Sequence, residues 1–382
     1  MKKTLIVLII IAVAIAGFFW HRERQLSNMV GQMILVGFRG VGPDDASVKD
    51  LAKDIRAGKI GGIILFSVDV ELGRAAGFTG DALRAQTKSR NIIDVDQVKN
   101  LNEFLSRAAR NGGRPPLFVS IDQEGGKVVR LKPEHGFDFE MPSAKDMSKM
   151  SITDIAELYE GLGTRLKDLG FNLNFAPCVD VDVNPASPAI GAMGRAFSSD
   201  PVLVSEYGSV AANRLAAAGM LSSFKHFPGH GSAGADTHDG MVDVTNTWKE
   251  YELDPYKSVP DFTMVMVAHV INGHLDPDFP ASLSPATING LLREKMGFDG
   301  VVISDDLQMG AIYEHYGLAE TLRLAILAGN DIALLGNNLK YSENLGRIAH
   351  AEIIKMVHEG KIPRARIKES YDRIMKIKKL IK

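Results

Sequence analysis

The residues of this 382-residue chain that could do chemistry are carboxylates and histidines placed directly after short apolar runs. Two groups suit catalysis best: the pair Asp305-Asp306, and the triplet Asp236-Thr237-His238 in a glycine-rich segment. A histidine held by a carboxylate can donate and accept a proton near neutral pH, while a second carboxylate can act as a nucleophile. Retaining glycoside cleavage needs such a pair: one group attacks the anomeric carbon, and the other protonates the leaving oxygen and then activates water. Without this context, His238 is equally well explained as an exposed loop histidine.

A metal centre is the alternative chemistry that the histidines suggest. His226 and His230 are four residues apart, a spacing that suits two ligands on one helical face. The intervening Phe227-Pro228-Gly229 breaks a helix, however, and no glutamate completes a His-Glu-x-x-His arrangement. The lone Cys178 can form neither an internal disulfide nor a thiolate cluster for zinc. We therefore expect no metal and no other cofactor.

Eight short apolar runs, which predict buried strands, alternate with longer helical patterns along the chain. Continuous apolar strands separated by helices indicate a parallel sheet that is covered on both faces. No Gly-x-Gly-x-x-Gly fingerprint follows the first strand, so eight strands fit a closed α/β barrel, a (β/α)8 TIM-type fold, better than an open dinucleotide-binding sheet. The predicted strands are Met33–Phe38, Gly62–Phe66, Leu117–Ile121, Phe171–Phe175, Leu221–Lys225, Met264–His269, Val301–Ser304 and Ile332–Leu335.

The polar residues of interest follow these predicted strands. In a parallel barrel all such positions open onto one rim, where barrel enzymes keep their chemistry. Charges placed independently would spread over both rims, so the clustering predicts an enzyme. The residues concerned are Asp122 and Glu124 after the third strand, Asp180 and Asp182 after the fourth, Lys225, His226, His230, Asp236 and His238 at and after the fifth, His269 at the end of the sixth, and Asp305 and Asp306 after the seventh.

The overall composition is that of a folded globular protein. Apolar residues make up 45% of the chain and charged residues 24%, and 44 Lys and Arg against 46 Asp and Glu leave a formal net charge of −2. This balance argues against a nucleic-acid partner, which requires a concentrated basic face. The length fits two domains or one barrel with insertions, and the eight strands favour the single barrel, which we expect to be a monomer.

The first twenty residues differ from this average. Lys2 and Lys3 precede an uncharged run from Thr4 to Trp20, a pattern typical of an export signal. Ala14-Ile15-Ala16 resembles a signal-peptidase site, whereas the run also meets the lower edge of the roughly 17–25 residues that span a bilayer. A cleaved signal and an uncleaved anchor both stay open, and either predicts a periplasmic or an outward-facing, inner-membrane-anchored protein. We assign 1–20 to the signal or anchor, 21–25 to a linker and 26–382 to the barrel.

The carboxyl-terminal segment, residues 361–382, predicts a basic helix. Nine Lys or Arg stand against Glu369 and Asp372, and isoleucines recur at helical spacing. Such a helix can lie on anionic lipid, but more often it is the last packed helix of a domain, with a solvated outer face. We favour the packed helix.

Several motifs together resemble a known family. The chief motif is Lys225-His226-Phe227-Pro228-Gly229-His230-Gly231, followed after four residues by Asp236-Thr237-His238. It resembles the signature of glycoside hydrolase family 3, and more narrowly that of the bacterial β-N-acetylhexosaminidases of cell-wall recycling. Further matches extend the resemblance over about residues 26–382. They are Val30-Gly31-Gln32-Met33 with Gly37-Phe38, Asp122-Gln123-Glu124-Gly125-Gly126, Asn174-Phe175-Ala176-Pro177 with Asp180-Val181-Asp182, Gly194-Arg195-Ala196-Phe197, and Ser304-Asp305-Asp306-Leu307.

The resemblance implies a role for each matching residue. Asp305 matches the nucleophile that forms a covalent glycosyl-enzyme, His238 the general acid/base, and Asp236 its orienting partner. The implied activity is that of an exo-acting, retaining β-N-acetylglucosaminidase, with a glycan that contains N-acetylglucosamine, such as a peptidoglycan-derived muropeptide, as its substrate. The positions that hold the hydroxyls of the non-reducing N-acetylglucosamine are matched by Asp122, Arg130, Arg195, Lys225 and His226.

Some features depart from the family pattern or leave alternatives open. Thr237 stands where Ser is usual, and the residues after His238 lack the Pro that is common there. Residues 67–88 form an insertion after the second strand, which either shapes the leaving-group side of the pocket or is a solvated loop without a role. The alternative functions are a family relative that transfers the sugar to phosphate, and a membrane-tethered muropeptide-binding module that has lost catalysis.

Overall fold

The computed structural model describes residues 17, 19–79, 82–83, 86–237 and 240–381. Most of the predicted signal or anchor segment, and the predicted acid/base His238, lie outside the described residues. Within the described ranges, no helix combines the length and the apolar character needed to cross a membrane. A helix over residues 19–32, named α1 here, leads into the first strand.

Eight short parallel strands form the wall of a barrel. The strands are β1 Ile34–Gly37, β2 Gly62–Ile64, β3 Phe118–Ile121, β4 Leu173–Asn174, β5 Leu221–Phe227, β6 Thr263–Val267, β7 Val302–Ser304 and β8 Ala333–Leu335. Each pairs in parallel with the next from β1 to β7, and β8 pairs with β1, with Ile34 opposite Ala333. A bridge between Ile303 and Ile332 joins the remaining two edges and closes the ring. The predicted (β/α)8 barrel is therefore confirmed.

Helices run between the strands and cover the outside of the ring. The further α-helices are α2 Ala46–Ala57, α3 Val70–Ala75, α4 Val95–Asn111, α5 Ala144–Met147, α6 Ile152–Asp168, α7 Pro201–Ala217, α8 Gly310–Ala328, α9 Leu345–His358 and α10 Arg364–Lys378. Local signals set their starts: the Asp94 side chain accepts a hydrogen bond from the Gln97 amide at 2.9 Å at the start of α4. Helix α8 is interrupted at Gly317, where φ is 67°.

The strands are buried on both faces. All residues of β1, β2 and β3 are buried, because inward side chains fill the barrel and outward side chains pack beneath the helices. This double burial explains why the strands appear in the sequence as continuous apolar runs rather than as alternating ones. It leaves the segments beyond the carboxyl ends of the strands as the place where polar side chains collect.

The last helix closes the opposite end of the barrel. The apolar face of α10 is packed, with Ile367, Ile374 and Ile377 buried. Lys378 is also buried, and its ammonium donates to Gln32 Oε1 at 2.7 Å and to the Gly61 and Pro116 carbonyl oxygens at 2.8 and 2.6 Å. The basic carboxyl-terminal segment is thus the packed last helix of the domain, as we predicted.

The insertion after β2 leaves the barrel and returns to it at one point. Its ends are joined where the Asp69 amide donates to the Lys88 carbonyl at 3.2 Å and the Arg90 amide donates to the Ser67 carbonyl at 3.4 Å. Helix α3 lies inside the insertion and starts at Asp69, whose side chain accepts a hydrogen bond from the Leu72 amide at 3.1 Å.

Candidate active site

Lys225, near the end of β5, joins two carboxylates from the segment after β3. Its ammonium lies 2.9 Å from Asp122 Oδ1 and 2.6 Å from Glu124 Oε1, and its side chain is only 3% exposed. Burial alone would lower the pKa of Lys225, but the charges of Asp122 and Glu124 raise it above its ordinary value. Lys225 therefore stays protonated and holds both carboxylates in fixed positions.

Asp122 is the more accessible of the two carboxylates. It is 18% exposed, and its Oδ2 atom lies 3.5 Å from Nη2 of Arg130, whose side chain is 27% exposed. Burial would raise the pKa of Asp122, yet the charges of Lys225 and Arg130 hold it below its ordinary value. Asp122 is thus an ionised hydrogen-bond acceptor at the open edge of the site.

Glu124 holds the predicted ligand Arg195 with two hydrogen bonds. The Arg195 Nε and Nη2 atoms donate to the two Glu124 oxygens at 2.8 and 2.7 Å, a bidentate geometry that fixes the guanidinium plane. Burial opposes ionisation of Glu124, but Arg195 and Lys225 together keep its pKa well below the ordinary value. The sequence places Glu124 on the rim two residues after Asp122 but gives no role to it, and the structure shows that it orients Arg195.

Asp180, after β4, organises the histidine motif. One carboxylate oxygen accepts from the backbone amides of His226 at 3.2 Å and His230 at 2.8 Å, and the other lies 2.7 Å from His226 Nδ1. His226 Nε2 lies 3.3 Å from Nη2 of Arg195, and a guanidinium can only donate. The ring proton of His226 therefore belongs on Nδ1, towards Asp180, and both ring nitrogens are engaged by protein groups.

The same region contains three atoms that could approach a metal ion. The candidate ligand atoms of Cys178, Asp180 and His226 lie within 4.8 Å of one another, and all three residues are buried. The Cys178 Sγ atom lies 3.2 Å from Asp180 Oδ2, so both oxygens of this carboxylate already accept hydrogen bonds. Hydrogen bonding explains the cluster without an ion, and burial also raises the pKa of the Cys178 thiol well above its ordinary value, which disfavours the thiolate form that binds metals.

Asp305 follows β7 directly, and hydrogen bonds hold both its backbone and its side chain. Its backbone amide donates to the Val267 carbonyl at the end of β6 at 3.0 Å, and its Oδ1 atom accepts from the Asp306 amide at 2.8 Å. The Asp306 carbonyl in turn accepts a hydrogen bond from Nε2 of His269 at 2.9 Å. The backbone thus presents Asp305 at the rim, with one carboxylate oxygen held by the amide of the next residue.

The loop after β5 carries the predicted dyad. Thr237 is buried, and its hydroxyl lies 3.3 Å from Nε2 of His230, so the residue that departs from the usual Ser still makes a hydroxyl contact. The loop returns to the barrel through a short strand, Val242–Asp243, which pairs with Val270–Ile271 after β6. Asp236 belongs to this loop, and its partner in the predicted dyad, His238, lies outside the described residues.

The structure brings five predicted ligands into one network. Direct contacts, or contacts through Glu124 and Asp180, connect them on the rim beyond β3, β4 and β5, and Asp305 lies on the same rim beyond β7. The five residues are Asp122, Arg130, Arg195, Lys225 and His226.

Comparison with known proteins assigns the chain to a family. The family model described as "Glycosyl hydrolase family 3 N terminal domain" matches residues 25–377. A beta-hexosaminidase of Mycobacterium tuberculosis, LpqI, is 35% identical over 285 residues, which cover 72% of this chain and 71% of the relative. Beta-hexosaminidase A of Pseudoalteromonas piscicida is 30% identical over 312 residues, which cover 76% of this chain but 52% of the relative. The chain therefore spans about half the length of that second relative.

Solved structures give the same assignment. A glycoside hydrolase family 3 beta-N-acetylglucosaminidase from a Paenibacillus superposes with a TM-score of 0.79 at 32% identity and covers 93% of this chain and 62% of its own. A beta-N-acetylhexosaminidase from Beutenbergia cavernae superposes with a TM-score of 0.77 at 26% identity and covers 93% of this chain and 98% of its own. The chain belongs to glycosyl hydrolase family 3, the family that the motifs around Lys225 and Asp305 predicted.

Proposed function

We propose that this chain is an exo-acting, retaining β-N-acetylglucosaminidase that releases terminal N-acetylglucosamine from peptidoglycan-derived muropeptides or related glycans. The observation that carries the proposal is the network of Asp122, Glu124, Lys225 and Arg195, whose ionised groups stand on the same rim as Asp305. Relatives named beta-hexosaminidase support the choice of sugar.

The network suits recognition of a neutral sugar. A sugar offers many hydroxyls and no charge, so its binding depends on hydrogen bonds with fixed directions. Asp122 accepts and Arg130 donates at the open edge, while Lys225 and Glu124 hold them and Arg195 in place. Because both ring nitrogens of His226 are engaged by Asp180 and Arg195, His226 contributes by orienting Arg195.

The proposed reaction has two steps. An oxygen of Asp305 attacks the anomeric carbon as the bond to the leaving oxygen breaks, and His238 gives its proton to that oxygen. Water then attacks the anomeric carbon, His238 takes a proton from it, and Asp305 leaves as a carboxylate. Asp236 holds the His238 ring in the orientation that both transfers require.

Asp305→Ala tests the proposal most directly. We expect turnover of an aryl N-acetylglucosaminide to fall by orders of magnitude, whereas N-acetylglucosamine binding, measured by calorimetry, persists because the sugar-binding network is intact. Asp372→Ala, which removes an exposed carboxylate from α10, serves as the control and keeps full turnover. Retained turnover in Asp305→Ala would refute the assigned nucleophile, and an unmodified protein that binds the sugar without turnover would be a binding module instead.

The same assay separates hydrolysis from phosphorolysis. A histidine acid/base is compatible with transfer of the sugar to phosphate, so the reaction is run with and without inorganic phosphate. We expect free N-acetylglucosamine in both cases. N-acetylglucosamine 1-phosphate as the main product would identify a phosphorylase.

We further propose that the amino-terminal segment directs the chain out of the cytoplasm. Phe19 and Trp20, at the start of α1, are 56% and 63% exposed, although such large apolar side chains are usually covered in soluble domains. The Arg24 guanidinium lies over the Trp20 ring at 5.3 Å, a pairing that suits a membrane interface. Cell fractionation tests this location, and mass spectrometry of the mature amino terminus distinguishes a cleaved signal from an anchor; a cytoplasmic protein that begins at Met1 would contradict it.

A further inference from the structure

Buried charges hold the base of the insertion, residues 67–88: Asp69 lies inside it and Arg90 just after it. Asp69 and Arg90 are each 2% exposed, and Arg90 Nη1 donates to Asp69 Oδ2 at 2.8 Å. Arg39 contacts the same carboxylate at 2.7 and 2.9 Å and reaches Glu71 at 2.8 Å. A solvated loop does not need to bury an ion pair, since the desolvation is recovered only when the geometry is well satisfied. The insertion is therefore built to hold one position.

The partner of this charged base is the loop that follows β8, residues 336–343, named here the β8 loop. Arg90 Nη2 donates to the Asn337 carbonyl, and the Asn338 side chain accepts from the Val70 amide at 3.0 Å and donates to the Val68 carbonyl at 3.1 Å. The Tyr341 amide donates to Glu71 Oε1 at 3.0 Å. These contacts join the insertion to the β8 loop across some 270 residues of sequence.

The β8 loop in turn holds the segment that carries Asp305. The Asn337 amide donates to Gln308 Oε1 at 2.6 Å, and Gln308 Nε2 donates to the Lys340 carbonyl at 2.9 Å. The amides of Gly336 and Gln308 donate to Asp306 Oδ1 at 2.8 and 3.0 Å. The Asp306 amide then donates to Asp305 Oδ1. A continuous set of hydrogen bonds therefore runs from the insertion to the carboxylate of Asp305.

We propose that the insertion acts as a clamp that positions the nucleophile, with Asp69 and Arg90 as positioning residues that act through the β8 loop, Gln308 and Asp306 on Asp305. This inference rests on the proposed function, which assigns the nucleophile to Asp305. The clamp fixes both the place of the carboxylate and the amide that donates to it. Displacement of a reacting group by about 1 Å can lower a rate by about 100-fold, so a loosened clamp affects the chemical step more than sugar binding.

The test compares two arginines that bind buried carboxylates at opposite ends of the barrel. Arg293 resembles Arg90: it donates to a buried carboxylate, Asp331, at 2.6 Å and to the carbonyl oxygens of Phe298 and Gly300. Arg90→Lys and Arg293→Lys each keep the charge but lose the two-pronged geometry of the guanidinium. Thermal unfolding and the pH dependence of kcat/KM on an aryl N-acetylglucosaminide are measured for both variants and for the unmodified chain.

We expect Arg90→Lys to lower kcat by roughly 10- to 100-fold at nearly constant KM, because the loosened clamp no longer holds the Asp305 carboxylate in its reacting position. Arg293→Lys should lose stability and keep the profile of the unmodified chain. Coincident profiles for all three proteins would overturn the clamp. Loss of turnover in Asp305→Ala, in the same series, would show that the proposed function survives that result.

Gln308→Ala provides the same test without disturbing the buried charges. It removes the side chain that links Asn337 to Lys340 and leaves the Asp69–Arg90 pair intact. If Arg90→Lys does not accumulate as folded protein, a lower kcat at nearly constant KM in Gln308→Ala supports the clamp. An unchanged kcat and profile in this variant overturn it.

Discussion

Both ends of the barrel bury a lysine, but they surround it differently. At the catalytic rim Lys225 lies between the carboxylates of Asp122 and Glu124. At the opposite end the ammonium of Lys378 is held by neutral oxygens, one amide and two carbonyls, and lies 4.2 Å from the Phe118 ring centre. Charge pairing raises the pKa of Lys225 above its ordinary value, whereas burial lowers that of Lys378 well below it.

The difference separates a site that meets a ligand from one that closes the fold. Around Lys225 the charges are balanced in pairs, and Asp122 and Arg130 keep exposed surface that can exchange water for a sugar. Around Lys378 the three acceptors come from the segments before β1, β2 and β3, so the ammonium ties these strand starts together. Equal burial of the same side-chain type thus supports binding at one end and assembly at the other.

The largest effect that this comparison predicts is on activity at the rim. Lys225→Met removes the cation between Asp122 and Glu124, so the two carboxylates repel each other and the sugar contacts lose their geometry. We expect kcat/KM to fall by about 100- to 1000-fold, as it does when one preorganised donor is lost. The measurement is turnover of an aryl N-acetylglucosaminide at saturating and at low substrate.

Lys378→Met is the matched control for this prediction, since it makes the same substitution at the other end. Its kcat/KM should stay within about twofold of the unmodified value, because surroundings far from the reacting atoms leave the transition state unaffected. A similar loss of activity in both variants would show that the two ends do not differ in the way the structure indicates.

Glu252 can be compared with Glu124. Both carboxyl groups are buried, but among the described residues Glu252 is not neutralised by cations as Glu124 is by Arg195 and Lys225. Its Oε1 atom accepts from the Lys249 amide at 3.0 Å, and hydrogen bonds from Lys249 and Ser232 lower its pKa by less than burial raises it. Burial raises the pKa of Glu252 to about 7 from 4.5. The carboxyl group is therefore protonated in the folded protein at pH values where the unfolded chain has already released the proton.

This raised pKa predicts a loss of stability as pH rises. Glu252 opposes folding progressively between pH 4.5 and about 7, and above that range the penalty is on the order of 3 kcal/mol. In Glu252→Gln, which keeps the acceptor for Lys249, the free energy of unfolding at pH 8 should rise by about 1–3 kcal/mol and change little at pH 4. Denaturant unfolding at the two pH values measures this, and equal shifts at both would show that ionisation of Glu252 is not the cause.

The fold and much of the site could be predicted from the sequence, because in a parallel barrel the position of a residue relative to its strand determines the end of the barrel at which it lies. Buried parallel strands appear as continuous apolar runs, and everything after them meets on one rim. Asp122 and Asp305 follow β3 and β7, and Lys225 lies near the end of β5, so their common location required only the strand order. The interruption of α8 at Gly317 has no clear signature in the sequence, because glycine adopts the φ of 67° without steric cost while helix continues on both sides.

Other parts of the site depend on contacts that no local pattern records. Glu124 binds Arg195 across 71 residues, and the base of the insertion binds the β8 loop across about 270. Such pairs are set by how neighbouring loops pack, so the sequence left the role of residues 67–88 open. The same holds for Lys378, which looks like one of nine basic residues in its segment until its contact with Gln32 places it under the barrel.

The smallest predicted effect concerns the stability of the barrel end that α10 closes, opposite the catalytic rim. Lys378→Met leaves Gln32 Oε1 and the Pro116 carbonyl without this donor and the Gly61 carbonyl with only the Phe118 amide, which destabilises the fold. It also removes an ammonium whose burial is unfavourable, and methionine retains much of the apolar contact with Phe118, so the two effects partly cancel. We expect a net loss of about 1–2 kcal/mol in the free energy of unfolding, read from denaturant midpoints. A loss several times larger would mean that the ammonium is as necessary to the fold as Lys225 is to the site. A gain in stability would mean that the cost of burying the lysine outweighs its three hydrogen bonds.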